Sequence, residues 1–310
     1  MATYNGSQFL DQQIESILAQ SYTDWKLSIR DDGSTDETPA LLRKWAQRDT
    51  RIEVVVDDYG RRGFNGNFSA LTEWASSKFI MYCDQDDVWL PQKIERMVER
   101  MVNAEIHLGP IPLLIHSDSK VVDENLNVLQ EAFIGRRGLR TDITGILLAN
   151  SCQGACMMIN QPLRSELLHA AQVLPYDYRA ALLASAIGRR IFIAESLMLY
   201  RQHGANVIGA LGIREGRKSR GKLAVLDVTI SLAAGLRAAP EIEKALQPFW
   251  NMISAAAQAE LRAHWSMIGM RSGVRKFWAA AQARYCFSRR WDRVNLLLYC
   301  LGIASDRHAN

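Results

Sequence analysis

The feature that most restricts how this chain can fold is an apolar run, Phe79-Ile80-Met81-Tyr82-Cys83, that passes directly into Asp84-Gln85-Asp86-Asp87-Val88-Trp89. Carboxylates this crowded repel one another, and at the end of a buried strand the repulsion is costly unless a cation or hydrogen bonds offset it. Such a strand belongs in an open α/β sheet, where ligands collect at the carboxyl ends of the strands. The upstream sequence supplies one. Apolar positions at helical spacing predict a helix over residues 9–20, alternation predicts a strand over 25–30, and the pattern repeats as helix 38–47, strand 52–56, helix 67–76 and strand 79–83. This alternation predicts an α/β domain built on a mostly parallel sheet with helices on its faces.

A second acidic string, Asp31-Asp32-Gly33-Ser34-Thr35-Asp36, also follows a predicted strand and opens a predicted helix. Gly33 permits a tight turn there, and Asp36 is placed to cap or charge the helix start. A capped connection accounts for Asp36 alone. Two adjacent carboxylates exceed what a cap requires, and a carboxylate accepts well from a pyrimidine N–H or a ribose hydroxyl. For the cluster at 84–87 the plain alternative is a solvated acidic turn. The sharper reading is a site for Mg²⁺ or Mn²⁺, hard cations that bind a few carboxylates and keep positions open for phosphate oxygens.

The 310 residues suffice for one large domain plus an appendage. Residues 113–200 mix short predicted strands (113–116, 154–159, 191–194) with helices (161–170, 178–186), which would extend the sheet and form the other wall of a cleft. The division expected is a catalytic domain over 1–208, with a donor half at 1–112 and an acceptor half at 113–208, followed by a helical C-terminal region over 209–310. The net charge of +4, from Lys+Arg 37 against Asp+Glu 33, leaves no footprint for nucleic acid. No Gly-x-x-x-x-Gly-Lys-Ser/Thr or Gly-x-Gly-x-x-Gly string is present, which removes the common phosphotransfer and dinucleotide folds.

The five scattered cysteines lack zinc-ribbon spacing and suit a reducing cytoplasm, and no stretch is apolar enough for a spanning helix. From Leu261 to Asn310 there are nine Arg and Lys against two acids, interleaved with Trp265, Trp278 and Trp291. That mixture, with Trp250 just before it, suits peripheral contact with anionic lipid head groups, or equally a helical hairpin packed on the catalytic domain or a dimer partner. Ala2-Thr3-Tyr4-Asn5-Gly6 reads as the loop after a first strand that the sequence does not contain. The expectation is a chain truncated ahead of Met1, the alternative a sheet that manages without that strand.

Ala2-Thr3-Tyr4-Asn5-Gly6, then Asp-Asp-Gly-Ser-Thr-Asp about 26 residues later, then Asp-Gln-Asp-Asp-Val-Trp, together resemble the donor half of family 2 glycosyltransferases. The resemblance implies the GT-A nucleotide-diphospho-sugar transferase fold and an inverting, metal-dependent sugar transfer. It places Thr3 and Tyr4 beside the base, Asp32 as acceptor of its N–H, Asp86 by the ribose and metal, and Asp87 as direct metal ligand. Asn5, Asn67 and Asp84 are assigned to the same nucleotide-sugar site.

Ser117 to Asn125, Asn150 to Met158, and Leu199-Tyr200-Arg201-Gln202-His203-Gly204-Ala205-Asn206 resemble the rhamnosyltransferase-like branch. Arg201 then becomes a diphosphate clamp and His203 an extra metal ligand, against the plain reading of a solvent-exposed loop. Displacement at an anomeric carbon needs a general base, and Asp177, in Pro175-Tyr176-Asp177-Tyr178-Arg179 at a helix start, is the candidate. Tyr176 stands where the branch usually has His, and Arg179 where it usually has an aromatic. The resemblance implies dTDP-L-rhamnose as donor and a growing surface polysaccharide, free or lipid-linked, as acceptor. Alternatives are a UDP-sugar (N-acetylglucosamine or galactose) transferase or a non-catalytic nucleotide-sugar-binding relative, with the oligomeric state open.

Overall fold

The structure is a computed structural model of the chain and describes residues 1–135, 141–148, 150, 152–204 and 238–270. Its first part runs β1 (Ala2–Thr3), α1 (Ser7–Leu18), β2 (Leu27–Asp31), α2 (Thr38–Arg48), β3 (Ile52–Val54), α3 (Gly63–Trp74) and β4 (Phe79–Met81). It continues with β5 (Val88–Trp89) and α4 (Lys93–Leu108). The stretch expected to be the acceptor half comprises β6 (Leu113–Val122), β7 (Val128–Gln130), α5 (Ile143–Leu148), a 3-10 turn at Gly154–Cys156, β8 (Met157–Asn160), α6 (Gln161–His169), α7 (Tyr176–Ile187) and β9 (Arg189–Arg201). Beyond it lie α8 (Ala239–Leu246), a 3-10 segment at Gln247–Met252, and α9 (Ala255–Gly269).

The expected α/β alternation is present, but parallel pairing is confined to part of it. β1, β2 and β3 form a parallel three-stranded sheet. The second sheet has the order β4-β8-β6-β9-β5 with β7 beside β6, and there only β6 and β9 run parallel. Residues 2–3, expected as loop, are themselves strand: Ala2 pairs with Arg30 and Thr3 with Asp31. The Ala2 amide also donates to Cys83 O at 3.2 Å, so β1 bridges the two sheets at their carboxyl ends. Behind that bridge a cavity of about 580 Å³ lies between β2 and β4, walled by Met1, Leu27, Phe68, Trp74, Phe79 and Trp89. None of the acids at 84–87 lines it.

Helix positions follow from burial. α4 buries Lys93, Ile94, Met97, Met101 and Ala104, spaced three and four apart along one face. α7 is enclosed on nearly all sides, with every side chain from Ala180 to Ala184 at 0% exposure. Its small residues let it lie close to β6 and β9, and α5, α6 and α8 pack around it. Ile242, Leu246, Phe249, Ile253 and Leu261 join the same apolar cluster as Leu182 and Leu183, so α8 and α9 contribute to the core under the acceptor half. The boundary expected at 209 lies outside the described residues, as do Trp278, Trp291 and the cationic residues expected beyond Arg262. Trp250 and Trp265 pack against that core and each other, with ring centroids 5.6 Å apart.

The step from α7 into β9 is made at Gly188, where a Cβ would sit 1.9 Å from Pro112 O. That carbonyl is fixed by the Arg189 amide at 2.9 Å, so it cannot retreat without breaking the start of the strand. Gly188→Ala is expected to destabilise the fold by about 2–4 kcal/mol, seen as a lower urea midpoint at unchanged slope. Gly204→Ala, where nothing lies within 4 Å, is the control and should leave the midpoint in place.

Candidate functional site

The carboxyl ends of β1 and β2 are laced together by short side chains. Asp31 accepts from Thr3 Oγ1 (2.9 Å), Ser34 Oγ (2.6 Å) and Ser34 N (2.8 Å), while Asn5 Oδ1 accepts from Thr35 N at 2.8 Å. Asp36 takes the Ser7 amide at 3.1 Å and the Thr38 amide at 3.0 Å, so it serves the starts of both α1 and α2. Against the upward push of burial, those hydrogen bonds hold its carboxyl down to about 2. Thr3 is buried. Tyr4 is 37% exposed, with the Arg61 guanidinium 4.2 Å over its ring and its backbone held by the Gln85 amide. Of the residues expected at the base, the Tyr4 ring is the one open to solvent.

Asp32 and Asn67, both expected at the nucleotide, are tied into a network around Arg30 that the sequence reading did not identify. Arg30 is 3% exposed and donates to Asp57 through Nε (2.7 Å) and Nη2 (3.1 Å), to Asp32 and Asn67 through Nη1, and to Gly60 O. Asp32 also accepts from Arg62 N (2.7 Å) and Gly63 N (2.8 Å), which fastens the end of β2 to the start of α3. Three of the four lone-pair positions of this buried carboxylate are therefore occupied, leaving one on Oδ2 for a base N–H. Asn67 uses both ends of its amide, accepting from Arg30 and donating to the carbonyls of Thr3 and Arg30.

Across the loop, Asp84, Asp86 and Asp87 crowd as expected. Asp87 is 1% exposed; Oδ1 accepts from Arg201 N at 3.1 Å, and among the described residues Oδ2 has no hydrogen-bond partner. Burial, then the charges of Asp86 and Asp84, pushes the Asp87 carboxyl well up. Asp84 is pushed up to about 7 by burial, then by Asp86 and Asp177. A buried carboxylate oxygen without a donor is a fit for a hard cation that takes one or two protein oxygens and draws its remaining ligands from phosphate and water. Among the described residues no three His, Cys, Asp or Glu side chains are arranged to hold a metal. Of the three ligands expected, Asp86 Oδ2 and His203 Nε2 are hydrogen bonded to each other at 2.9 Å.

Arg201, expected as a diphosphate clamp, is built into the wall instead. It is 2% exposed, lies 4.5 Å over the Phe9 ring and donates to Asp86 O, Glu124 O and Gln12 Oε1. It thereby fixes the strand end that carries His203. Lys93 was missed altogether. Its Nζ lies fully buried against Ala155 O (2.6 Å), Met198 Sδ (3.1 Å) and the Trp89 ring, near enough to moderate the charge of Asp84 and Asp87. The only signal available was its place in the first turn of an amphipathic helix just past the acids.

Asp177 lies half-buried in the first turn of α7. Burial raises its carboxyl to about 6 against the pull of hydrogen bonds from the Tyr178 amide and Asn150. Its charge in turn acts on Asp84, so the two carboxyls are neighbours at the cleft expected from the sequence. Tyr176 and Arg179, the two departures from the branch pattern, point away from this cleft into the core. Tyr176 stacks on Phe68 with ring centroids 4.2 Å apart, and Arg179 reaches Ser69 Oγ on α3 at 3.2 Å. The Tyr176 hydroxyl fills the space beside Gly154, where a Cβ would lie 1.7 Å from it.

Residues 1–163 match the family model described as Glycosyl transferase family 2. A β-1,3-glucosyltransferase of Escherichia coli named for UDP-Glc and α-D-GlcNAc-diphosphoundecaprenol is 25% identical over 51% of this chain and 57% of its own length. An uncharacterised glycosyltransferase of Nostoc is 26% identical over 66% of this chain and 64% of its own length. A dTDP-rhamnosyl transferase of Shigella flexneri is 31% identical over 33% and 37%. The chain thus spans less than two thirds of the length of these relatives. Among solved structures, a mannosyltransferase of Pyrobaculum calidifontis in complex with GDP-Man and Mn²⁺ aligns over 97% of this chain and 84% of its own, with a TM-score of 0.51 at 16% identity. Staphylococcus aureus TarS residues 1–349 align over 97% and 89%, with a TM-score of 0.51 at 13% identity. That likeness shows the GT-A fold.

The raised carboxyl of Asp84 carries a stability consequence. Because its folded-state value lies above the unfolded one, the stability lost by ionising it grows as pH rises from about 4 to about 7 and is constant above. Without divalent cations, Asp84→Asn should therefore melt higher than the wild type at pH 8, with the difference shrinking toward zero at pH 4, as measured by thermal unfolding in chelator.

Proposed function

Because the chain belongs to glycosyl transferase family 2, we propose that it moves a sugar from a nucleoside diphosphate onto a hydroxyl of a growing surface polysaccharide, inverting the anomeric centre. The observation that carries this reading is Asp177, a half-buried carboxyl raised to about 6, near enough to Asp84 of the acidic cluster for its charge to act there. A carboxylate titrating there is ionised at neutral pH and basic enough to take the proton of an attacking hydroxyl.

The roles divide by position. Tyr4 offers an exposed ring for the base, and Asp32 offers its remaining lone pair to the base N–H. Thr3, Asn5 and Asn67 hold the shape of the loops that present these two. Asp87, through its unpartnered Oδ2, and Asp86 would hold Mg²⁺ or Mn²⁺, with His203 kept against Asp86 by the strand end that Arg201 fixes. A divalent ion held there would supply positive charge against the negative charge that develops on a departing nucleoside diphosphate.

For the donor, dTDP-L-rhamnose is supported by the Shigella relative and by the string from Tyr200 to Asn206, whose last two residues lie outside the described ones. UDP-glucose is the second reading, supported by the longer alignment with the E. coli relative. That relative's name also supports a lipid-linked acceptor, which would bring this chain to a membrane face as a peripheral protein. Among the described residues no helix is long and apolar enough to cross a membrane.

Calorimetric titration of dTDP, UDP and GDP with and without Mn²⁺ tests the donor side. Tight binding that needs the ion and is lost in Asp87→Ala is expected, and the preferred base decides between rhamnose and glucose. Asp177→Asn should bind nucleotide as the wild type does while transfer falls about 10²–10⁴-fold. Equal loss of binding and transfer would overturn the base assignment.

A further inference from the structure

Asp177 does not behave as an ordinary helix-start aspartate. α7 has no side-chain cap, and within its own helix the carboxylate accepts from the Tyr178 amide, at 2.8 Å on Oδ1, and is also stabilised by its own backbone amide. Its other oxygen, Oδ2, is taken by Asn150 Nδ2 at 3.0 Å, from a different segment of the chain. The Asn150 amide is itself oriented, because its Oδ1 accepts from Cys152 N at 3.0 Å. With the oxygen committed to the backbone, the nitrogen must face Asp177. Two donors, one on each carboxylate oxygen and each from a separate piece of structure, fix the plane of the group. A charge-assisted bond of this kind is roughly twice as strong as a neutral one.

We propose that Asn150 is a positioning residue for Asp177, setting the plane of the carboxylate through which the acceptor hydroxyl loses its proton. The inference rests on the reading of Asp177 as general base. The charged and titratable groups near Asp177 are Asp84 from the loop after β4, Tyr176 beside it on α7, and Cys152 from the segment that carries Asn150. None of these donates a hydrogen bond to its carboxylate among the described residues; the Tyr178 amide, the amide of Asp177 itself and Asn150 oppose burial there, and Asn150 is the one side chain of the three. Removing Asn150 leaves Oδ2 buried with less compensation, and the carboxyl should hold its proton to higher pH. Asn150 is exposed, so the fold should tolerate its loss.

The test is a carbon-13 carboxyl NMR titration of the full chain labelled at aspartate, with the Asp177 resonance assigned by its absence in Asp177→Asn. In Asn150→Ala the Asp177 midpoint is expected to rise by about one unit with little change in melting temperature. Asn150→Asp should replace the single step by two coupled ones. In parallel, the pH profile of nucleoside diphosphate release from UDP-glucose or dTDP-rhamnose, whichever binds, should show its acid limb moving with the NMR midpoint. A midpoint unmoved in Asn150→Ala overturns the proposal while leaving the base assignment standing. A midpoint that moves while Asp177→Asn turns over like the wild type overturns the base assignment, and the positioning role with it.

Discussion

Arg30 lies almost wholly inside the protein at the carboxyl end of β2, and its charge is tolerable there because Asp57 takes it through two nitrogens and Asp32 through a third. Removing one member of such a buried group typically costs about 3–5 kcal/mol, since the partners keep their charge and lose their compensation. Every partner anchors something the site needs. Asp57 and the Gly60 carbonyl hold the loop after β3, Asp32 holds the start of α3, and Asn67 ties α3 back to β1. The shape of these loop ends, where the nucleotide is proposed to bind, thus follows from one guanidinium.

On the other side of β1 the balance is less complete. Asp84 and Asp87 are driven toward the neutral form by burial and mutual repulsion, while burial drives Lys93 toward losing its proton. Each eases the other, yet Asp87 Oδ2 still faces no donor. A fold that leaves a buried carboxylate oxygen open at the rim of a cleft holds electrostatic tension that a ligand can relieve.

The α/β alternation and both acidic strings were legible because periodicity and strand-end chemistry are local properties. Strand direction was not: alternation looks the same in β8, which runs antiparallel to both its neighbours, as in β2. β6 and β9 proved far longer than the short apolar runs that marked them, since Ser117, Asp118 and Ser119 are buried polar residues that break the pattern. Asp177 was legible as a helix-start carboxylate, but Asn150, 27 positions earlier, was not, because their contact depends on the packing of α7. Arg201 was assigned to phosphate for its chemistry; its burial could not be read from a polar string. Arg30 and Lys93 escaped notice for a related reason, as a buried cation looks in sequence like any surface one.

The two sides of the cleft differ in how the chain delivers them. Asp177, α7, the Gly188 junction, β9 and His203 form one uninterrupted stretch, so the proposed base and the histidine at the acids are covalently a single piece. The residues proposed for the nucleotide belong to the first hundred, which meet that piece through the backbone pairing of β5 with β9 as well as through side chains. A chimera joined near the start of β6, taking its donor half from a relative with a different nucleotide preference, would import a new base pocket while inheriting this unit whole. On the proposed assignments, exchange of one segment would change donor choice without the proton-transfer geometry having to be rebuilt.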